Sequence, residues 1–172
     1  MTPWLNHAVC AGRYHDWLIQ TGSLTRALQA RCQAFNVWRI RQELDLPFPD
    51  EFAALDIPQG QPSIIREVLL NCAHQPLVFA HTVLPSAGMR GPWRALATLG
   101  NRPLGAALFA DPRIQRFPLH YRCLNRHHPL HRAAVRAAGP LPDMLWGRRS
   151  LFALLGHRIL VTEVFLPEVL QL

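Results

Sequence analysis

Two pairs of strand-length runs, each closed by a tight turn, constrain this chain more than any other feature. Ser63 to Cys72 and Leu77 to Leu84 flank Ala73-His74-Gln75-Pro76, and Met144 to Leu155 and Arg158 to Leu166 flank Gly156-His157. Connections this short join antiparallel neighbours, so each pair reads as a hairpin. A fifth run, Phe35 to Leu44, alternates Val37, Arg39, Arg41 and Glu43 against Trp38, Ile40 and Gln42, which suits a strand with a wetted face. Pro47, Pro49, Pro58, Gly60 and Pro62 then mark a connection. Upstream, Trp17, Leu18, Leu24, Leu28 and Phe35 recur at helical spacing, broken at Thr21-Gly22-Ser23, where Gly22 ends one helix and Ser23 caps the next. A further helix is predicted from about Gly91 to Leu99, followed by a short apolar helical turn ending near Phe109. Strands and helices do not alternate, which predicts an α+β fold: an antiparallel sheet with helices on one side. With 172 residues, 49% of them hydrophobic, and no internal linker, residues 1–172 read as a single domain.

Net charge narrows the class of partner. It is +7, and all 18 basic residues are Arg, which favours an anionic ligand. The densest stretch holds Arg113, Arg116, Arg122, Arg126, Arg132 and Arg136, with Phe117 and Tyr121 among them and only Asp111 as a nearby acid. Solvated arginine is the commoner use of such a stretch, so no nucleic-acid partner is expected. His127-His128-x-x-His131 lacks the glutamate of an H-E-x-x-H site and a fourth ligand, so no metal is expected either. Cys10, Cys32, Cys72 and Cys123 lie far apart without a C-x-x-C pair and read as free thiols in a reducing compartment. No charged segment followed by an apolar stretch opens the chain, and no apolar run reaches about 18 residues. The expectation is a cytoplasmic protein without an integral membrane segment.

Side chains alternate faces along a strand, so a lone polar residue in an apolar row stands out. Arg66 interrupts Ile64, Val68 and Leu70; His81 interrupts Leu77, Phe79 and Val83; Glu163 interrupts Val161 and Phe165. Burying such groups is costly unless they pair or hold a ligand. Arg66 and Glu163 therefore read either as an ion pair across the sheet or as parts of one site, with His81 either a hydrogen-bonded core residue or a third member. A further anion site is available if Pro103 opens the short helix, because the amides of Leu104 and Gly105 then have no helical partner.

Several segments, in this order and spacing, carry a resemblance. They are Asp16-Trp17-Leu18, Ser23-Leu24-Thr25-Arg26, Arg66-Glu67-Val68-Leu69-Leu70, Pro103-Leu104-Gly105 with Leu108-Phe109, Leu145-Trp146-Gly147-Arg148-Arg149-Ser150, and Thr162-Glu163-Val164-Phe165-Leu166-Pro167. The chain resembles the bacterial chorismate pyruvate-lyases, which make 4-hydroxybenzoate for ubiquinone synthesis by eliminating pyruvate from chorismate. The resemblance implies helical flaps over a buried product site, a monomer, and no metal or organic cofactor. Carried over to matching positions, Arg66 and the main-chain amide of Leu104 form the carboxylate clamp. Glu163 meets the phenolic hydroxyl, and Leu24 covers the pocket. The family carries Gly-Arg where this chain has Ala80-His81. The resemblance thus leaves the enolpyruvyl carboxylate to a protonated His81 or to Arg149. The segment from Asp111 to Pro142 is longer than in the family and includes His120. A different class of protein shares the fold, since effector domains of bacterial transcription regulators look similar; the alternative is a sensing domain for aromatic carboxylates. No helix-turn-helix signature precedes the domain.

Overall fold

The computed structural model describes residues 3–172. Seven strands form one antiparallel sheet: β1 (Phe35–Asp45), β2 (Ser63–Cys72), β3 (Gln75–Pro85), β4 (Gln115–Arg116), β5 (His120–Asn125), β6 (Met144–Leu154) and β7 (His157–Phe165). Their order is β1-β2-β3-β7-β6-β4, with β5 also paired to β6. Both predicted hairpins form, but with β3 starting at Gln75 and β7 at His157 their turns are Ala73-His74 and Leu155-Gly156, the second one residue earlier than the expected Gly156-His157. Leu155 and Gly156 take φ of 50° and 81°, the left-handed pair of values a two-residue hairpin turn requires. That turn sets Leu154 opposite His157 and, counting back, Arg148 opposite Glu163.

The two faces of the sheet are covered differently. On one face Leu69, Phe79, Leu124, Leu145 and Val164 pack against Leu130, Ala133 and Ala134 of α6 (Pro129–Ala138). His128 caps that helix by accepting the Leu130 N–H at 3.2 Å. On the other face Val37, Val68, Leu70 and Phe165 pack against Leu18 of α1 (His15–Ile19) and Leu24 and Leu28 of α2 (Leu24–Gln29). Further along that face, Leu104 and Leu108 of α5 (Leu104–Ala110) meet Phe152. Ser23 caps α2 as expected, accepting the Arg26 N–H at 3.3 Å. The fold is α+β, with α6 packed on one face and α2 and α5 lying as flaps over the other.

Three local expectations change. The proline-marked connection contains α3 (Pro49–Leu55), opened by Pro49 in its first turn and capped at that same end by Glu51 accepting the Phe48 N–H at 2.8 Å. The helix predicted from Gly91 to Leu99 is instead a short α4 (Ser86–Met89) and a 3-10 turn (Arg94–Thr98). The basic stretch read as helical or irregular holds β4 and β5 before α6. The free-thiol reading is also corrected. Cys32 and Cys72 form a disulfide across 40 residues, because the β1–β2 pairing returns the end of β2 to the chain leaving α2. Cys10 and Cys123 are free. Among the described residues, no helix is long and apolar enough to cross a membrane.

Candidate active site

A cavity lies between the sheet and the two flaps. The sheet supplies Arg66, Val68 and Leu70 from β2, Ala80 and Thr82 from β3, Val161 and Glu163 from β7, and Arg148 and Ser150 from β6. The flaps supply Leu24 and Thr25 from above one end and Pro103, Leu104, Gly105 and Leu108 from the other. The flaps meet closely at Gly105, where an added Cβ would sit 3.2 Å from Thr25 Oγ1 and 3.3 Å from Ser23 Oγ. A side chain here would have to push the two helices apart by a few tenths of an ångström.

Arg66 is 2% exposed, and Nη2 donates to the carbonyls of Gly100 at 3.2 Å and Arg102 at 3.1 Å. These bonds hold the loop that delivers Leu104 to the cavity. Pro103 is the cap and Leu104 the first helical residue, so the Leu104 N–H has no partner within its own helix. Arg66 Nε is buried without a hydrogen-bond partner. Burial, and then the positive charge of Arg39, bring the guanidinium pKa down to about 10, so it remains a cation at neutral pH. A buried cation with a free N–H facing an apolar cavity is a binding group for an anion.

Glu163 does not pair with Arg66. Arg148 Nε donates to Glu163 Oε2 at 2.6 Å, and Arg148 Nη1 donates to the carbonyls of Trp17, Leu18 and Gln20 at 3.1, 3.1 and 2.5 Å. One fully buried guanidinium thus fixes the carboxylate and ties the chain entering the α2 flap to the sheet. Glu163 keeps 18% side-chain exposure, and its Oε1 is left for a ligand. Arg66 pairs with Thr82 and Glu163 with Ala80, so the two charges stand diagonally across β3, about 10 Å apart across the strands by standard spacing. Sequence reading missed Arg148. The signal lay in the placement of the turn: with Leu155-Gly156 as its two residues Arg148 stands beside Glu163, whereas a Gly156-His157 turn would set Ser150 there.

His81 and Arg149 are corrected by the same registers. His81 pairs with Glu67 and Thr162, and Thr162 pairs with Arg149, so these residues share the opposite face of the sheet. There His81, 1% exposed, lies between Glu67 Oε1 at 3.0 Å from Nδ1 and Glu51 Oε2 at 3.3 Å from Nε2, with Phe48 stacked on its ring. Arg41 closes the far side of Glu67 with bonds of 2.7 and 3.2 Å. Arg149 binds Asp50 at 2.8 Å and lies over the Trp4 ring, while Trp4 Nε1 donates to the same carboxylate. Neither residue reaches the cavity. Among the described residues, no cluster of His, Cys, Asp and Glu is arranged to hold a metal.

This back-face network predicts a pH dependence of stability. Burial opposes the imidazolium of His81, but Glu51 and Glu67 outweigh it and lift its pKa to about 9. Burial likewise opposes the Glu67 carboxylate, but His81 and Arg41 bring its pKa down to about 2. The folded-state pKa of His81 is raised, so its contribution is complete below about pH 6.5 and is lost as pH rises through about 9. The Glu67 pKa is depressed, so its contribution is complete above about 4.5 and is lost as pH falls toward about 2. Melting temperature should therefore fall from pH 6.5 to 9, and His81→Gln should flatten that alkaline limb. An unchanged alkaline slope in the variant would rule out His81 as its source.

The fold has known counterparts. The effector domain of PhnF from Mycobacterium smegmatis superposes with a TM-score of 0.53 at 16% identity, covering 87% of this chain and 91% of that one. A GntR-family transcriptional regulator from Bacillus cereus gives 0.57 at 15% identity over 78% and 93%. At these identities the likeness concerns the fold alone. Sequence relatives are much nearer. A protein named "Probable chorismate pyruvate-lyase" from Aromatoleum aromaticum is 49% identical, covering 93% of this chain and 88% of its own. One of the same name from Thiobacillus denitrificans is 45% identical over 97% and 90%. The model of the chorismate lyase family matches residues 6–171. With a matching family model over nearly its whole length and relatives this similar, the chain belongs to the chorismate lyase family.

Proposed function

We propose that this protein is a chorismate pyruvate-lyase, converting chorismate to 4-hydroxybenzoate and pyruvate as the first committed step of ubiquinone synthesis. One observation carries the reading: a buried guanidinium without a carboxylate partner, Arg66, faces the same apolar cavity as Glu163 beneath two flaps. Residues 1–172 act as one catalytic domain, a monomer in the cytoplasm, without metal or organic cofactor.

Chorismate already holds the ring carbons of its aromatic product. It needs only to break the C3–O bond to the enolpyruvyl group and to lose the proton on C4, after which enolpyruvate tautomerises to pyruvate. The protein's task is to hold the dianion, exclude water and accept that proton. Arg66 and the Leu104 amide bind the ring carboxylate, and Leu24 and Leu108 cover the ring. Glu163 Oε1 accepts a hydrogen bond from the C4 hydroxyl, takes the C4 proton and passes it to the departing enolpyruvate, while Arg148 on Oε2 fixes the carboxylate's orientation. Expelling water strengthens each of these contacts.

The test is to mix purified protein with chorismate, with neither metal nor cofactor added, and to follow both products by chromatography. Equimolar 4-hydroxybenzoate and pyruvate above a no-protein control are expected. Saturable binding of 4-hydroxybenzoate without any turnover would replace the lyase with a sensing domain.

A further inference from the structure

Arg116 is a cavity residue to which the mechanism above gives no task. It lies on β4 opposite Phe152 of β6, with its side chain among those lining the cavity. Its Nη1 donates to the Thr21 carbonyl just ahead of the α2 flap. Its guanidinium carbon stands 5.4 Å from the ring centre of Phe109, at the end of the α5 flap, and 5.5 Å from that of Phe152. Its Nε is buried and has no hydrogen-bond partner. Burial, followed by the nearby charge of Arg148, disfavours the cation, and Glu163 only partly offsets this.

Charge balance gives Arg116 a ligand class. Among the described residues lining the cavity, three are arginines and one is a carboxylate, and that carboxylate is bound by Arg148. Arg66 and Arg116 are left as two cations, each with an Nε that nothing satisfies. Across the sheet the order is Arg66 on β2, Glu163 on β7, Arg148 on β6 and Arg116 on β4. The two uncompensated cations therefore flank Glu163, one on each side. A ligand that satisfies both is a dianion with its carboxylates at opposite ends and its reacting carbon between them.

We infer that Arg116 binds the enolpyruvyl carboxylate of chorismate, a role that rests on the lyase reading above. The resemblance left this role to His81 or Arg149, and both face away from the cavity. Once the C3–O bond breaks, the second carboxylate leaves with pyruvate. The remaining 4-hydroxybenzoate is a monoanion held at the Arg66 end alone, so Arg116 distinguishes substrate from product.

The experiment compares wild type, Arg116→Gln and Arg116→Lys by KM and kcat for chorismate and by calorimetric Kd for 4-hydroxybenzoate. Loss of one charge-assisted contact should raise the chorismate KM of Arg116→Gln by about 10- to 100-fold and leave the 4-hydroxybenzoate Kd within about threefold. Arg116→Lys should recover part of the KM. An unchanged KM overturns the assignment. So does an equal weakening of substrate and product, because a residue that merely latched the flaps through Thr21 would affect both alike. A wild-type protein that does not turn over chorismate at all removes the lyase reading itself, and the assay on wild type alone reveals it.

Discussion

Glu163→Gln protein should still bind 4-hydroxybenzoate but form it from chorismate about 100- to 10,000-fold more slowly than wild type, the usual contribution of a positioned proton acceptor. The amide keeps the shape of the side chain and an oxygen for Arg148, so the fold should survive. Glu163→Ala is a harsher change. It leaves Arg148 buried with its three carbonyl acceptors but no counter-charge, and breaking a buried pair in this way costs about 3–5 kcal/mol. The glutamine variant is therefore the cleaner measurement, made by single-turnover kinetics with melting temperature as the control for folding. Turnover at the wild-type rate would sink Glu163 as the proton acceptor.

Arg66→Met should separate binding from stability. Removing the guanidinium takes away the charge-assisted contact to the ring carboxylate and should weaken 4-hydroxybenzoate binding by about 100-fold. The same change relieves an uncompensated buried cation, and only two neutral carbonyl acceptors, those of Gly100 and Arg102, lose a donor. The variant should consequently melt no lower than wild type, because cavities built for ligands carry local instability that the ligand relieves. Calorimetry and thermal melts on the same preparation check both halves. Unaltered affinity for 4-hydroxybenzoate would place its carboxylate elsewhere.

Alternation within single strands was legible from the sequence, because it is local. It picked out Arg66 and Glu163, both of which line the cavity. It also picked out His81 and gave no sign that His81 faces the other way, since parity inside one strand says nothing about which faces of two strands coincide. That depends on register, and across β2 and β3 Arg66 lies opposite Thr82. Arg148 and Arg149 are neighbours on opposite faces, and only the length of the Leu155-Gly156 turn separates them. The two-residue β4 carries Arg116 between Ile114 and Phe117, too short a strand for alternation to register, so its pairing comes from tertiary contact with β6. The Cys32–Cys72 disulfide was invisible for the same reason: no spacing in the chain records that β2 ends beside the residues that follow α2.

The charges buried behind the cavity bear on how β3 finds its place. A strand displaced by one residue exposes its other set of side chains to each face. For β3 such a slip would turn His81 into the ligand cavity and push Thr82 among Glu51 and Glu67, leaving those two carboxylates shut away with no imidazolium between them. Several hydrophobic residues of β3 could exchange faces at modest cost; this ionic cluster could not. The back of the sheet thus works as a keyway that admits β3 in one alignment only, and the floor of the cavity inherits its accuracy from residues no ligand ever touches.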